Sequence, residues 1–208
     1  MHIGLIVGIG PAATDYYYRY LISAMAKEGL NLQLTMAHAD TPTLLRHQAE
    51  NNQGAQVAIY LHLAERLKRC GIERIAVTSI AGHFCIEAFK EVSPVPVIDL
   101  LETVRAEVQF RAFKKVGLLG TRVVMASSGI ATEQHREVFL RAGKSLVNEY
   151  GCESILLAGT DLALVFNKKF DPGFPILDCA EVHAAAIAQC ASFPETLSDP
   201  EQVHRAGN

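Results

Sequence analysis

The sequence has 208 residues, 50% of them hydrophobic and 20% charged, with a formal net charge of -3, so it can bury a sizeable core and carries no basic field suited to nucleic acid. No window approaches the ~20 continuous apolar residues of a membrane span, and the opening Met1-His2-Ile3-Gly4-Leu5 has no charged stretch before its apolar run, so the expectation is a cytoplasmic protein without a signal peptide. The five cysteines, at positions 70, 85, 152, 179 and 190, form no Cys-x-x-Cys pair and the eight histidines no ligand cluster, which predicts free thiols and no metal site.

Apolar runs alternate with amphipathic stretches along the chain. The pattern predicts a strand over 3–7, a turn at Gly8-Ile9-Gly10-Pro11 and a helix over 14–27. A strand over 32–38 follows, then a helix over 53–70 with Val57, Tyr60, Leu61, Ala64 and Leu67 on one side. Next come a strand over 74–78, a helix over 85–91, a short strand over 95–98, a helix over 100–113 and a strand over 116–119. The last predicted elements are a helix over 133–150, a strand over 154–157 and a helix over 179–191. Short, continuously apolar strands between helices call for parallel sheets covered on both faces. The predicted class is therefore α/β, as two similar Rossmann-like lobes around a central cleft. The first lobe spans 1–110, with a final helix that can cross to the other, and a shortened second lobe spans 111–208.

In such sheets ligands sit beyond the carboxyl ends of the strands. That rule selects the loops 7–11, 78–83, 120–124 and 158–161. Gly8 and Gly10 let the backbone approach an anion at a helix N-terminus, although the same residues also make an ordinary tight turn before Pro11. Thr78 and Ser79 end a strand with His83 shortly after. They read as helix caps and ligand-binding hydroxyls ahead of a Ser-His nucleophile. Thr160-Asp161 can cap a helix, or Asp161 can act as a base. Asp178, Cys179, Glu181 and His183 fall within two turns, with Asp178 and Glu181 spaced as a capping box. Cys85 reads first as a small buried side chain, and of Tyr16, Tyr17 and Tyr18 at most two can face a ligand.

These landmarks, in this order, resemble the aspartate/glutamate racemase family. The stretch from Ile3 through Gly8-Ile9-Gly10-Pro11 to Thr14, Tyr16 and Tyr17 looks like the family's opening I-G-x-x-G-G-M-G-P-x-A-T-x-x-Y-Y, with Val7 in place of a glycine. Further matches are Pro94-Val95-Pro96-Val97-Ile98-Asp99, Val116-Gly117-Leu118-Leu119-Gly120-Thr121, and Pro175-Ile176-Leu177-Asp178 with His183-Ala184.

The resemblance implies inversion of an alpha carbon without pyridoxal phosphate or any other cofactor, by two thiols on opposite faces, in a homodimer. The family's C-N-T-x-H motif aligns with Thr78-Ser79-Ile80-Ala81 and His83, and its G-C-T-E motif with Ala158-Gly159-Thr160-Asp161. Thr78 and Gly159 stand where the two cysteines would be. A threonine hydroxyl stays protonated near neutrality and glycine offers no group, so the two-thiol route is lost. The interval after Met125 is also too short for the strand-helix segment that family members carry there.

The resemblance leaves a frame for carboxylates at Gly8, Gly10, Thr14, Ser79, Thr121 and Thr160. The replacement catalysts are sought among Thr78, His83, Asp161 and His183, with Cys85 and Cys179 also in view; His83 and His183 match family histidines near the two thiols, as imidazoles expected on opposite sides of the cleft. The expected function is cofactor-independent acid/base chemistry, as a racemase, isomerase or lyase, on a small carboxylate or amino acid. The alternative is a catalytically silent protein that binds the same ligands. No nucleic-acid or membrane partner is expected.

Overall fold

Side chains of a strand alternate between its faces, and the first strand is buried on both. The computed structural model describes residues 1–120, 133–159, 162, 165–166 and 171–192. In β1 (His2–Val7), Ile3, Leu5 and Val7 join one core cluster while Ile6 joins the other. Flanking it in parallel are β2 (Gln33–His38) and β3 (Arg74–Val77), and β4 (Val97–Ile98) completes a sheet of order β2-β1-β3-β4. The helices of this half are α1 (Pro11–Lys27), α2 (Thr41–Ala49), α3 (Gln53–Arg69), a 3-10 helix over Ile80–Cys85, α4 (Ile86–Val92) and α5 (Leu100–Phe110). A second parallel sheet, in the order β5-β6-β7, is built from β5 (Val116–Leu119), β6 (Ser154–Leu157) and β7 (Ile176–Asp178), with helices α6 (Glu133–Asn148) and α7 (Cys179–Ser192). The molecule is thus α/β, two parallel sheets flanked by helices.

The two halves exchange their last helices. Although α7 follows the second sheet, its Ala180, Ala184, Ile187, Ala188 and Ala191 pack with Ile3, Leu5 and Val7 of β1 and with Tyr17, Leu21 and Met25 of α1. Alanines along this face let the helix axis approach the sheet closely, and the isoleucine fills the remaining space. Conversely, α5 follows the first sheet, yet its Leu100 and Val104 cluster with Cys179, Val182 and Leu156 of β6. The opposite face of the first sheet is covered by Tyr60, Leu63, Ala64 and Leu67 of α3 and by Ile86 and Phe89 of α4.

Two elements escape the hydrophobic pattern. In α2 only Leu44 is buried, so no periodicity betrays it; Asp40 starts it by accepting the Thr43 amide at 3.0 Å, with a proline in the first turn. Strand β7 is three residues long, too short to show alternation. The 3-10 helix over Ile80–Cys85 likewise replaces part of the expected loop and delays α4 to Ile86.

The glycine turn after β1 is fixed by its neighbours. Gly8 has φ +144°, and Thr41 donates its hydroxyl to the Gly8 carbonyl. A Cβ on Gly8 would overlap the Ala39 carbonyl oxygen, which is backbone and cannot swing aside. The combined strain and displacement predict that Gly8→Ala costs about 3 kcal/mol or more. At Gly29, where φ is +65° and a Cβ would meet nothing within 4 Å, alanine costs only about 1 kcal/mol. Urea unfolding of the two variants should show that ordering, with unchanged denaturant slopes; equal costs would contradict it.

Candidate functional site

Both halves end their strands toward a common region, and the chemistry-bearing residues sit there on short junctions. At the first, Gly10 is the N-cap of α1 with φ +85° and has no side chain to cap the helix. The first turn therefore keeps unsatisfied amides at the positive end of a 17-residue helix, the usual setting for a carboxylate. Thr14 closes the turn through its amide, 3.3 Å from the Gly10 carbonyl, and its hydroxyl donates to the same oxygen at 3.4 Å. Beside this turn, Thr78 ends β3 in full burial, with its hydroxyl donating to the Ile6 carbonyl at 3.4 Å. Ser79 follows in an extended conformation as N-cap of the 3-10 helix, and its side chain makes no cap hydrogen bond.

His83 and His183 are both buried, and their rings meet edge-to-face with centroids 6.1 Å apart. They do not face each other across open space, and both nitrogens of each ring are engaged. His83 Nε2 accepts the Leu100 amide at 3.3 Å, so the proton is on Nδ1, which donates to the Ser79 carbonyl at 2.6 Å. For His183 the roles reverse. Its Nε2 donates to the Ile98 carbonyl at 2.9 Å, and its Nδ1 accepts the Tyr17 hydroxyl at 2.9 Å. These tautomers follow from the backbone partners, a carbonyl that can only accept and an amide that can only donate, with the Tyr17 hydroxyl taking the role left to it.

Burial, the largest cause, pushes the pKa of both imidazoles down, His183 to about 3. A second proton on His83 would also turn its accepting Nε2 toward the Leu100 amide, which can only donate.

Two thiols near these junctions, Cys179 and Cys85, are protonated near neutrality. Cys179 opens α7 with its sulfur held by the backbone of Gly159, the position aligned with the family's second cysteine. Burial, then the neighbouring Asp178, pushes it up to about 12. Cys85 points at the Gly82 carbonyl 3.7 Å away and is pushed up to about 11 by burial. Asp178 caps α7 by accepting the Ala180 amide at 2.8 Å. Thr121, Thr160 and Asp161 lie outside the described residues.

Two contributors were not singled out from sequence. Tyr17 falls on the buried stripe Ala13, Tyr17, Leu21 and Met25, whose spacing of four residues already places it inward, where its hydroxyl needs a partner. Asp99 is buried as the N-cap of α5, accepting the Leu101 amide at 2.7 Å and pairing with Lys90 at 3.2 Å. Among the described residues, Glu87, Asp99 and Glu102 are close enough together to hold a metal ion. The Lys90 ammonium already occupies that position, 3.4, 3.2 and 2.5 Å from the three carboxylates.

The profile of the family described as Asp/Glu/Hydantoin racemase matches residues 6–131, more than half of the chain. Among curated proteins nothing matches. Similar solved structures include a proposed Asp/Glu racemase from Yersinia pestis, 22% identical with a TM-score of 0.79 over 93% of this chain and 100% of that one. An aspartate racemase homologue from Pyrococcus horikoshii OT3 is 21% identical with a TM-score of 0.73, over 92% and 99% of the two chains. An arylmalonate decarboxylase is 14% identical with a TM-score of 0.54, over 90% and 92%. At these identities the structural likeness speaks for the fold.

The histidine geometry carries a pH dependence. Below about pH 6.5 the unfolded chain protonates both imidazoles while the folded chain resists, so stability is full above that pH and falls as the pH drops toward the folded values. For His183 alone, with a folded value of about 3, the loss on going from pH 7.5 to pH 4 is about 3 kcal/mol. Urea unfolding across this range should show that fall, and His183→Gln should flatten it. An unchanged slope in the variant would contradict the assignment.

Proposed function

This chain belongs to the Asp/Glu/hydantoin racemase family, and we propose that it binds a small carboxylate or amino acid and performs cofactor-independent acid/base chemistry from one face, as an isomerase or lyase. The observation that carries this reading is the uncapped, glycine-led N-terminus of α1 beside Thr78 and Ser79. Donors that hold a carboxylate also stabilise the enediolate that forms when a neighbouring carbon loses a proton or a carboxyl group. Racemisation additionally needs a proton carrier on each face. Thr78 and Gly159 supply no thiol, both imidazoles are committed to protein partners, and the buried Cys85 and Cys179 hold their protons.

A reaction with one proton transfer has smaller requirements. In this proposal Asp161 is the base, the Ser79 hydroxyl and the first-turn amides of α1 bind the developing oxyanion, Thr78 holds the Ile6 carbonyl beside them, and His83 and His183 position backbone rather than carry protons. Asp161 takes that part because a carboxylate is ionised near neutrality, unlike the thiols. A reaction other than racemisation is compatible with the fold, since an arylmalonate decarboxylase has a similar one. The silent alternative is favoured by the same engagement of all four nitrogens of His83 and His183, which leaves neither imidazole free to act as a catalyst.

In deuterium oxide, the protein should bind L-aspartate, L-glutamate or malonate, and should exchange the alpha proton of one amino-acid enantiomer with retention of configuration. Proton nuclear magnetic resonance with chiral chromatography reads both outcomes. Asp161→Asn should lower exchange by about 100-fold or more while binding persists. Binding without exchange selects the silent reading, inversion would show two-sided chemistry, and failure to bind any of the three would remove the carboxylate reading.

A further inference from the structure

We infer that Tyr17, His183 and His83 form a buried strut that sets the spacing between the two walls of the cleft, with Tyr17 as the positioning residue that holds its far end. The inference needs a tie between the halves that neither sheet provides. The sheets are separate, and a cavity of about 610 Å³ lies between β4 and β7, lined in part by Val97, Asp99, Leu177 and Val182. Their relative position therefore has to be set by helices and side chains.

The strut runs through one backbone segment. On the first wall, His83 holds the Ser79 carbonyl with Nδ1 and the Leu100 amide with Nε2. Two residues before Leu100, the Ile98 carbonyl accepts from His183, which belongs to α7 and so to the chain leaving the second sheet. His183 lies one helical turn beyond Cys179, whose sulfur rests on Gly159 in the second wall. The imidazole connections are hydrogen bonds between buried groups, shielded from competition with water.

Tyr17 completes the arrangement from α1. Its hydroxyl donates to His183 Nδ1, and its ring meets the imidazole edge-on at 5.5 Å. The Ile98 carbonyl, which can only accept, places the proton on Nε2, and the hydroxyl then supplies the donor that Nδ1 requires. Without that hydroxyl, Nδ1 loses its partner and the ring is held through Nε2 alone, so it can rotate and the tie to β4 weakens. The hydroxyl thus acts on the cleft through another side chain.

The test measures spacing directly. Spin labels at Glu50→Cys and Glu149→Cys report across the halves in a Cys70→Ser background; both glutamates are exposed, and the other four cysteines are buried. Double electron–electron resonance should give one narrow distance, and Tyr17→Phe should shift or broaden it beyond the parent's width. Nitrogen-15 spectra of the parent should show His83 protonated on Nδ1 and His183 on Nε2, with the His183 pattern alone changing in Tyr17→Phe.

Affinity for malonate should fall roughly tenfold at unchanged stoichiometry, the scale of one lost buried hydrogen bond. This last arm rests on the carboxylate reading. If the parent does not bind malonate, L-aspartate or L-glutamate, that reading fails while distance and tautomer still decide the strut. Identical distance distributions in a folded Tyr17→Phe, or matching tautomers for the two histidines in the parent, would overturn it. Should Tyr17→Phe not fold, His183→Gln, which keeps a donor for Ile98 but changes the group facing Tyr17, decides by the same distance measurement.

Discussion

Two backbone groups two residues apart, the Ile98 carbonyl and the Leu100 amide, dictate opposite protonation of two touching imidazoles. The carbonyl can only accept and the amide can only donate, so neither ring is free to choose. Much of the architecture is built around that segment. It joins the last strand of the first sheet to α5, and α5 leaves that sheet to pack on β6 and α7. The reciprocal move brings α7 against β1 and carries His183 to Ile98. The exchange of helices and the histidine contacts are therefore one structural event seen at two scales.

The same contacts bear on the chemistry. A histidine near a cleft invites assignment as a proton carrier because its ordinary pKa lies near neutrality. Here desolvation and complete hydrogen bonding hold both rings neutral, so in the proposed function the ligand-binding role falls to backbone amides and hydroxyls. The alignment that the resemblance implies points the same way, since it sets Thr78 and Gly159, which carry no thiol, at the positions of the family's two cysteines, while the glycine turn that opens α1 is present. Binding and proton transfer are separable properties of such a fold, because a helix N-terminus attracts an anion whether or not a base stands beside it.

Sequence periodicity was sufficient for the strands whose both faces are buried. Ile3 to Val7 and Ser154 to Leu157 read as strands because nearly every position is apolar, and the family resemblance, borne out by the profile match, supplied their order. Helix α2 was not legible, because a helix with one buried residue has no repeating apolar face. The inward position of Tyr17 was available from the spacing of Ala13, Leu21 and Met25. Its partner was not, since His183 is 166 residues away and nothing local specifies that contact. The tautomers lay further out of reach, because they depend on main-chain groups that look alike in every sequence.

A buried polar network of this kind is a costly way to hold two halves together. Each imidazole loses its hydration and recovers it only through hydrogen bonds of good geometry, so a well-packed apolar residue would serve stability at least as well. Hydrogen bonds differ from apolar contact in being directional. Leucine at position 183 could slide or rotate against Tyr17 and still bury the same area, whereas an imidazole held at both nitrogens has one satisfactory orientation relative to α1 and β4. The physical value of the network therefore lies in fixing a spacing, and a cleft that must match a small ligand is where a fixed spacing has consequence.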